Sequence, residues 1–370
     1  MRNLKLGKSL ACASAVVAAL TAAPLWAATN FVQRNLVADV AGVAENTDPN
    51  LVGTWGISAS PTSPWWVSNT TNGTSTLYNG VGVPNTAVVA QVPPSAVNKG
   101  KPGSPTGQVW SGYGAGNFEI APGRAATFIF ATLDGTISGY NGGGTPNTLL
   151  MFDDGAKGSS YTGLAIGISS AGPTLYAANF TKSRIDTFDK TYKPVTLPGG
   201  GFVDVDLPAG YAPVNIQRFG QRMYVAYALA NGQGGWVSGP GTGLINVFDV
   251  NGNLLQRVVP NNQNLNVPWG LAVAGQNFGV FSYALLVSNF GDGTIVAFDP
   301  ITGNYLGTMQ DGKGNNLSID GIWGIQFGSQ GMGGNANGGD ATALFFAAAP
   351  SGGQHGLFGY LRPATDSIIP

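Results

Sequence analysis

Short apolar runs separated by turns rich in Gly, Asn, Asp and Ser fill this chain from about residue 30 onward. The clearest unit is the stretch ending at Asp299, LLVSNFGDGTIVAFD. Leu286, Val287 and Ser288 read as one strand, Gly291-Asp292-Gly293 as a turn, and Thr294 to Phe298 as a second strand. Asp-Gly between two β-rich runs tolerates the positive φ that a tight hairpin requires. The pattern recurs as WWVSNTTNGTSTLYN, FIFATLDGTISGYN, LYAANFTKSRIDTFD and FFAAAPSGGQHGLFGY.

Aligned on the apolar residue that marks each innermost strand, the repeats fall at Ile57, Ile120, Leu164, Ile216, Leu271 and Ile325, spaced by 44 to 63 residues. That period suits four-stranded propeller blades with loop insertions. Outer strands are expected at NTAVVAQV, NTLLMFDD, GGFVDVDL, GNLLQRVV and GNYLGTMQ. The sixth repeat stops after its third strand, GLFGYLRP. The unpaired piece Asn30–Asp39 has the length and alternation to supply the missing one, covering a sheet edge that would otherwise invite aggregation. The pattern predicts an all-β, six-bladed β-propeller closed by its N-terminal strand, a single domain over 28–370.

Composition agrees with this picture. Charged residues are only 9% of the chain, 43% are hydrophobic and Gly is 57 of 370, so a large core and many tight turns are both available. Arg2, Lys5 and Lys8 before an apolar run from Leu10 to Leu20 read as a signal peptide over 1–27, with Ala27-Ala28 a cleavage point. Its loss leaves 14 basic against 18 acidic residues and removes Cys12, the single cysteine. The reading is of an exported protein, periplasmic or extracellular, with no anchor in its ending LRPATDSIIP, and a monomer. No basic cluster interleaves with aromatics, so nucleic acid is not an expected partner.

The pieces NLVAD, DPNLVGTWGIS, SPTGQVW, FIFATLDGTISGYN, LLVSNFGDGTIVAFD, DGIWGIQFG and HGLFGYLRP resemble a family of uncharacterised, exported bacterial proteins. The resemblance implies a six-bladed propeller related to the NHL-repeat group. It carries no assigned activity to any residue.

Ligand sites on propellers gather where the loops entering the inner strands and the loops between second and third strands surround the channel. Two long loops are expected there: Pro93–Asn117, with Trp110 and Tyr113, and Leu229–Gly243, with Trp236. Second strands end at Asn69, Thr132, Asn179, Tyr227, Asn289 and Ala349, so three carboxamides would ring the mouth. Glu119, Asn215 and Asp320 lie near strand starts. Carboxylate and amide oxygens are hard ligands suited to Ca²⁺; Asn at these places also caps turns for purely local reasons. Asp134 and Asp292 in Asp-Gly-Thr-Ile read as hairpin turns, since no further acids follow at EF-hand spacing. The pairs Trp55-Gly56, Trp269-Gly270 and Trp323-Gly324 open inner strands, with Gly allowing close approach and Trp expected to pack between blades.

His355 is the only histidine, which excludes a zinc centre built on several imidazoles and leaves it as the one weak acid–base candidate. Two readings result. The first is a binding or scaffold protein holding a small molecule, glycan or protein through Trp110, Trp236, Asn69, Asn179, Tyr227 and Asn289. The second is a metal-dependent, lactonase-like hydrolase with Glu119, Asn215 and Asp320 among the ligands of a Ca-type ion.

Overall fold

A computed structural model describes residues 30–142, 147–330 and 336–364. The leader, its cleavage point and Cys12 lie outside the described residues. Six β-sheets stand around a common axis. Their innermost strands are Thr54–Ser58, Pro105–Trp110, Tyr161–Ser169, Tyr211–Phe219, Pro268–Val273 and Ile322–Phe327. Each runs antiparallel to the next strand outward, so every blade is a meander. Strands in the middle of a blade are covered on both faces by neighbouring blades. Runs such as Trp65–Asn69, Phe128–Thr132 and Leu344–Ala348 are therefore buried at every position rather than alternately.

The N-terminal strand closes the ring. Phe31–Ala38 pairs antiparallel with Leu357–Pro363 as the outer strand of blade six, from Phe31 opposite Pro363 to Ala38 opposite Leu357. Phe31 also lies flat on Phe281 of blade five, 5.6 Å between ring centres, and its N–H donates to Gln310 O at 2.8 Å. The first strand thus fastens two blades at once.

The inner strands touch one another through a belt of small residues. Gly56, Gly107, Gly163, Gly270 and Gly324 each face the backbone of the following blade. A Cβ on Gly107 would stand 2.7 Å from the Gly163 carbonyl carbon, and one on Gly270 would stand 2.5 Å from Trp323 O. Contacts this short exclude any side chain. Blade four has Asn215 at this level, and its amide reaches across to donate to Trp269 O at 2.8 Å. Glycine beside tryptophan therefore does what the Trp-Gly pairs suggested.

Two details differ from the sequence expectation. Blade two's inner strand is Pro105–Trp110, not a strand at Ile120. Ile120 belongs to a small separate hairpin, Glu119–Ala121 with Arg124–Ala125, turned by Pro122-Gly123. Pro93–Asn117 is consequently not a free insertion, because it contains a blade strand. Blade three has no fourth strand: GGFVDVDL stays irregular, and the sheet ends at Arg184–Phe188.

Candidate functional site: an aromatic mouth at one end of the channel

At the end where the inner strands begin, aromatic rings fill the axis. Trp55 and Trp323 stack with ring centres 3.8 Å apart, and Phe290 stacks on the other face of Trp323 at 4.0 Å. Trp269 meets both tryptophans edge-on, and its indole N–H is spent on Thr162 O at 3.0 Å. These rings converge on one another rather than lying between blades, since the blades are narrowest here and their first residues point inward.

Trp236 comes from the loop between the second and third strands of blade four, on the channel face as expected. Its ring stands edge-on to Trp55, Trp323 and Phe290, at 6.3, 5.5 and 5.5 Å. The loop is held by Asn231 Oδ1, which accepts from Gln233 N and Gly235 N, and by Asn266 Oδ1, which accepts from Gly239 N at 2.8 Å. Trp236 and Phe290 are only half-buried. Together with Trp55, Trp323, Thr70 and Thr71 they line a cavity of about 290 Å³ that no charged side chain enters.

Polar groups in this cavity are few. Thr70 Oγ1 donates to Pro105 O at 2.6 Å and Thr71 Oγ1 to Gly353 O at 3.0 Å, leaving each hydroxyl free to accept. Trp55 Nε1 is buried without a hydrogen-bond partner. An indole donor left so costs about 1–3 kcal/mol relative to one that is paired.

The carboxamides do not join this site. Asn69 donates to Thr74 and Thr76 hydroxyls, Asn179 to Ser159 Oγ and Asp186 Oδ2, and Asn289 to Asn264 O and Thr294 Oγ1. Each is turned into its own blade, tying strand end to turn. Tyr227 is buried within blade four, and burial pushes its hydroxyl pKa well up. Thr132 bonds Thr136, Asp292 serves its own turn through Thr294 N, and Asp134 fastens its turn to the segment before the inner strand through Ser104 N.

The proposed metal ligands are likewise dispersed. Glu119 accepts from Gly116 N on the peripheral hairpin, Asn215 holds the Trp269 carbonyl, and exposed Asp320 accepts from Ser351 N. Among the described residues, no group of three or more His, Cys, Asp or Glu is placed to hold a metal ion. The donor set does not fit a calcium centre of this kind. His355 is not among the residues lining the cavity, and its Nδ1 lies 2.8 Å from Asp39 Oδ2.

Trp110 is at the opposite end. It is the last residue of an inner strand, its N–H donates to Ser58 Oγ at 3.0 Å, and its ring is 38% exposed. Reassigning blade two's inner strand is what reverses its face. Beside it, Gln217, Arg218 and Gln326 line a second cavity of about 240 Å³. Sequence reading missed these three, and missed Trp55, Trp323 and Phe290 as lining groups. The Trp-Gly pairs at strand starts in blades five, six and one were the available signal for two of the rings.

Comparison with known proteins adds kinship but no activity. No family model matches the chain. Uncharacterized protein R648 of Acanthamoeba polyphaga mimivirus is 31% identical over 312 residues, covering 82% of this chain and 75% of that protein. Protein L690 of the same virus is 30% identical over 339 residues, covering 88% and 84%. Protein R640 is 35% identical over 208 residues, and there the match spans 54% of this chain and 38% of that protein. These relatives are viral, whereas the sequence motifs had suggested exported bacterial proteins. A glucose dehydrogenase structure superposes with a TM-score of 0.50 at 11% identity, over 90% of this chain and all of that one. The calcium-binding protein regucalcin from Agrobacterium tumefaciens gives 0.49 at 13%, over 90% and 94%. At 11% identity the glucose dehydrogenase likeness speaks for the fold alone.

Proposed function

Starting from a chain that belongs to the family of the uncharacterised mimivirus proteins R648 and L690, we propose a binding protein whose aromatic channel mouth holds a small neutral ring, of which a glycan's sugar unit is the best example. The observation that carries this reading is the uncharged cavity of about 290 Å³ between half-buried Trp236 and Phe290 and the Trp55–Trp323 stack. Apolar ring faces next to a few polar groups are the usual makeup of a small-molecule pocket. A sugar offers an apolar C–H face to stack and a hydroxyl edge to bond. Here Thr70 and Thr71 hydroxyls can accept from that edge. The lack of charge around the pocket favours a neutral ligand over an ionic one. The reading places the protein outside the cytoplasm, in keeping with its leader-like start. It reads as a receptor or scaffold, because no charged or acid–base side chain lines the cavity.

Calorimetric titration of the full-length protein with neutral mono- and oligosaccharides tests the proposal. Binding weakened at least tenfold in Trp236→Ala, with the fold retained by circular dichroism, is the expected result. Binding that is equal in Trp236→Ala, or none across the series, would overturn it.

A further inference from the structure

Blade three is the one blade whose sheet ends at its third strand. The cause lies in what its last segment does instead. Gly199 N and Phe202 N donate to Asn251 O and Gly252 O in the turn of blade four, and the Phe202 ring packs between Tyr176 and Phe248. Asp204 then receives Asn246 Nδ2 at 2.9 Å and Arg257 Nε at 3.0 Å. The residues that would have formed the fourth strand are thus held by the neighbouring blade.

Pro194 bridges to Phe188, and a gap remains along Arg184–Asp186. Thr187 O accepts from Val195 N at 2.9 Å, so Thr187 faces outward, and by strand alternation Ile185 faces the same way. The N–H and C=O of Ile185 have no partner among the described residues. Beside this edge opens a cavity of about 540 Å³, walled by Phe152, Tyr161, Leu197, Phe202 and Val203. At one end stand two ion pairs, Lys157 with Asp154 and Arg184 with Asp186, whose basic members lie nearer the surface. The side chains of Lys157 and Arg184 are 78% and 57% exposed, while those of their partners Asp154 and Asp186 are 8% and 16% exposed.

We propose that an extended peptide segment of another protein extends blade three, pairing antiparallel with Arg184–Asp186, the part of the edge that Lys193–Val195 leaves uncovered. Its apolar residues face the cavity, and a carboxylate at its C-terminal end meets Arg184 and Lys157. An open edge with unpaired backbone groups is a template for such strand addition. The molecule already completes one sheet with a remote strand, Phe31–Ala38 in blade six. Blade two supplies the polarity. There Asp153, at the C-terminal end of the outer strand, stands opposite Thr136, the first residue of the third strand. Arg184 is the first residue of the third strand in blade three.

The probe is a fluorescein-labelled peptide copying residues 147–154, NTLLMFDD, added to the full-length protein. Anisotropy and amide hydrogen exchange are followed together. In the free protein the Ile185 amide exchanges faster than third-strand amides of the four-stranded blades, and saturating peptide slows it at least tenfold. Arg184→Glu weakens binding at least fivefold, and a peptide with prolines in place of its second Leu and its Phe does not bind. Equal binding of the proline peptide, or no binding at millimolar concentration, would overturn the proposal. So would an Ile185 amide already protected in the free protein, whether by its own chain or by a second copy in a dimer that dissociates on dilution.

Discussion

Asp39 Oδ2 lies 2.8 Å from Nδ1 of His355, 316 positions further along the chain. The other carboxylate oxygen of Asp39 accepts from Gly356 N at 3.0 Å. Asp39 directly follows the strand that closes the ring, and His355 lies just before the strand it pairs with. The two bonds therefore set where the N-terminal strand starts to leave blade six.

This arrangement predicts unequal effects of removing the two partners. Asp39→Ala loses both bonds and leaves the Gly356 N–H uncompensated, a cost of about 1–3 kcal/mol. The His355 side chain is 43% exposed, so His355→Ala costs only about 0.2–1 kcal/mol. Urea denaturation of the two variants measures the difference. Equal losses would show that the backbone bond contributes nothing.

The belt around the axis makes a second prediction. Gly270→Ala would bring a Cβ against Trp323 O and Ser288 Oγ, both at 2.5 Å, and Trp323 O cannot retreat without moving an inner strand. A loss of about 1–3 kcal/mol is expected from such overpacking. Gly275→Ala, with open space around it and no positive φ, serves as a comparison for the backbone contribution alone. Thermal unfolding separates the two.

Asn215 discriminates between a structural and a metal-binding role. Its amide holds the Trp269 carbonyl at 2.8 Å, so Asn215→Ala lowers stability by about 1–2 kcal/mol. Neither chelator nor added calcium should shift the Tm of the unaltered protein, since a cation bound only by the folded state would raise it. A calcium-dependent rise abolished by Asn215→Ala would restore the metal reading.

Acid sensitivity follows from the turn aspartates. Burial opposes ionisation of Asp204, but Arg257, Asn246 and the Asp206 N–H outweigh it and hold the carboxyl below its usual range. Asp153, Asp154, Asp189 and Asp249 are lowered by the same balance, with bonds to N–H and hydroxyl groups or Lys157 prevailing over burial. A carboxyl with a lower pKa folded than unfolded stabilises the fold fully above the unfolded value. That contribution is lost as pH falls through the folded value. Stability should thus be flat above about pH 5 and fall steeply below about pH 4, where unfolded Asp begins to bind protons. Asp204→Asn should be less stable at neutral pH and show a shallower decline in acid, measured by urea midpoints across pH.

The hairpins and the closing strand were legible in the sequence because both rest on local chemistry. Asp292-Gly293 and Asp134-Gly135 announce turns, and Phe31–Ala38 has strand length with no partner of its own. Blade two's inner strand was not legible. Thr106, Gly107 and Gln108 are polar or small, and Gln108 is buried only because its amide bonds Gly56 O of the next blade. The absent fourth strand of blade three was equally hidden. Phe202 and Asp204 look like strand residues until Phe248 and Arg257 of blade four bind them. For the site, a long loop sufficed to place Trp236 at the mouth. Reading Pro105–Trp110 as part of a loop, with the inner strand at Ile120, was enough to put Trp110 at the wrong end. Asn69, Asn179 and Asn289 repeat for the sake of their turns, a role that their spacing alone does not separate from ligand binding.

The most direct test of the binding account is the indole N–H spectrum of full-length protein labelled with ¹⁵N-tryptophan, recorded during titration with the tightest saccharide from the calorimetric series. The account predicts that the Trp55 and Trp236 signals, assigned through Trp→Phe variants, shift progressively to saturation, while that of Trp110, at the other end of the channel, stays in place. Movement of Trp110 with Trp55 and Trp236 unchanged would contradict it.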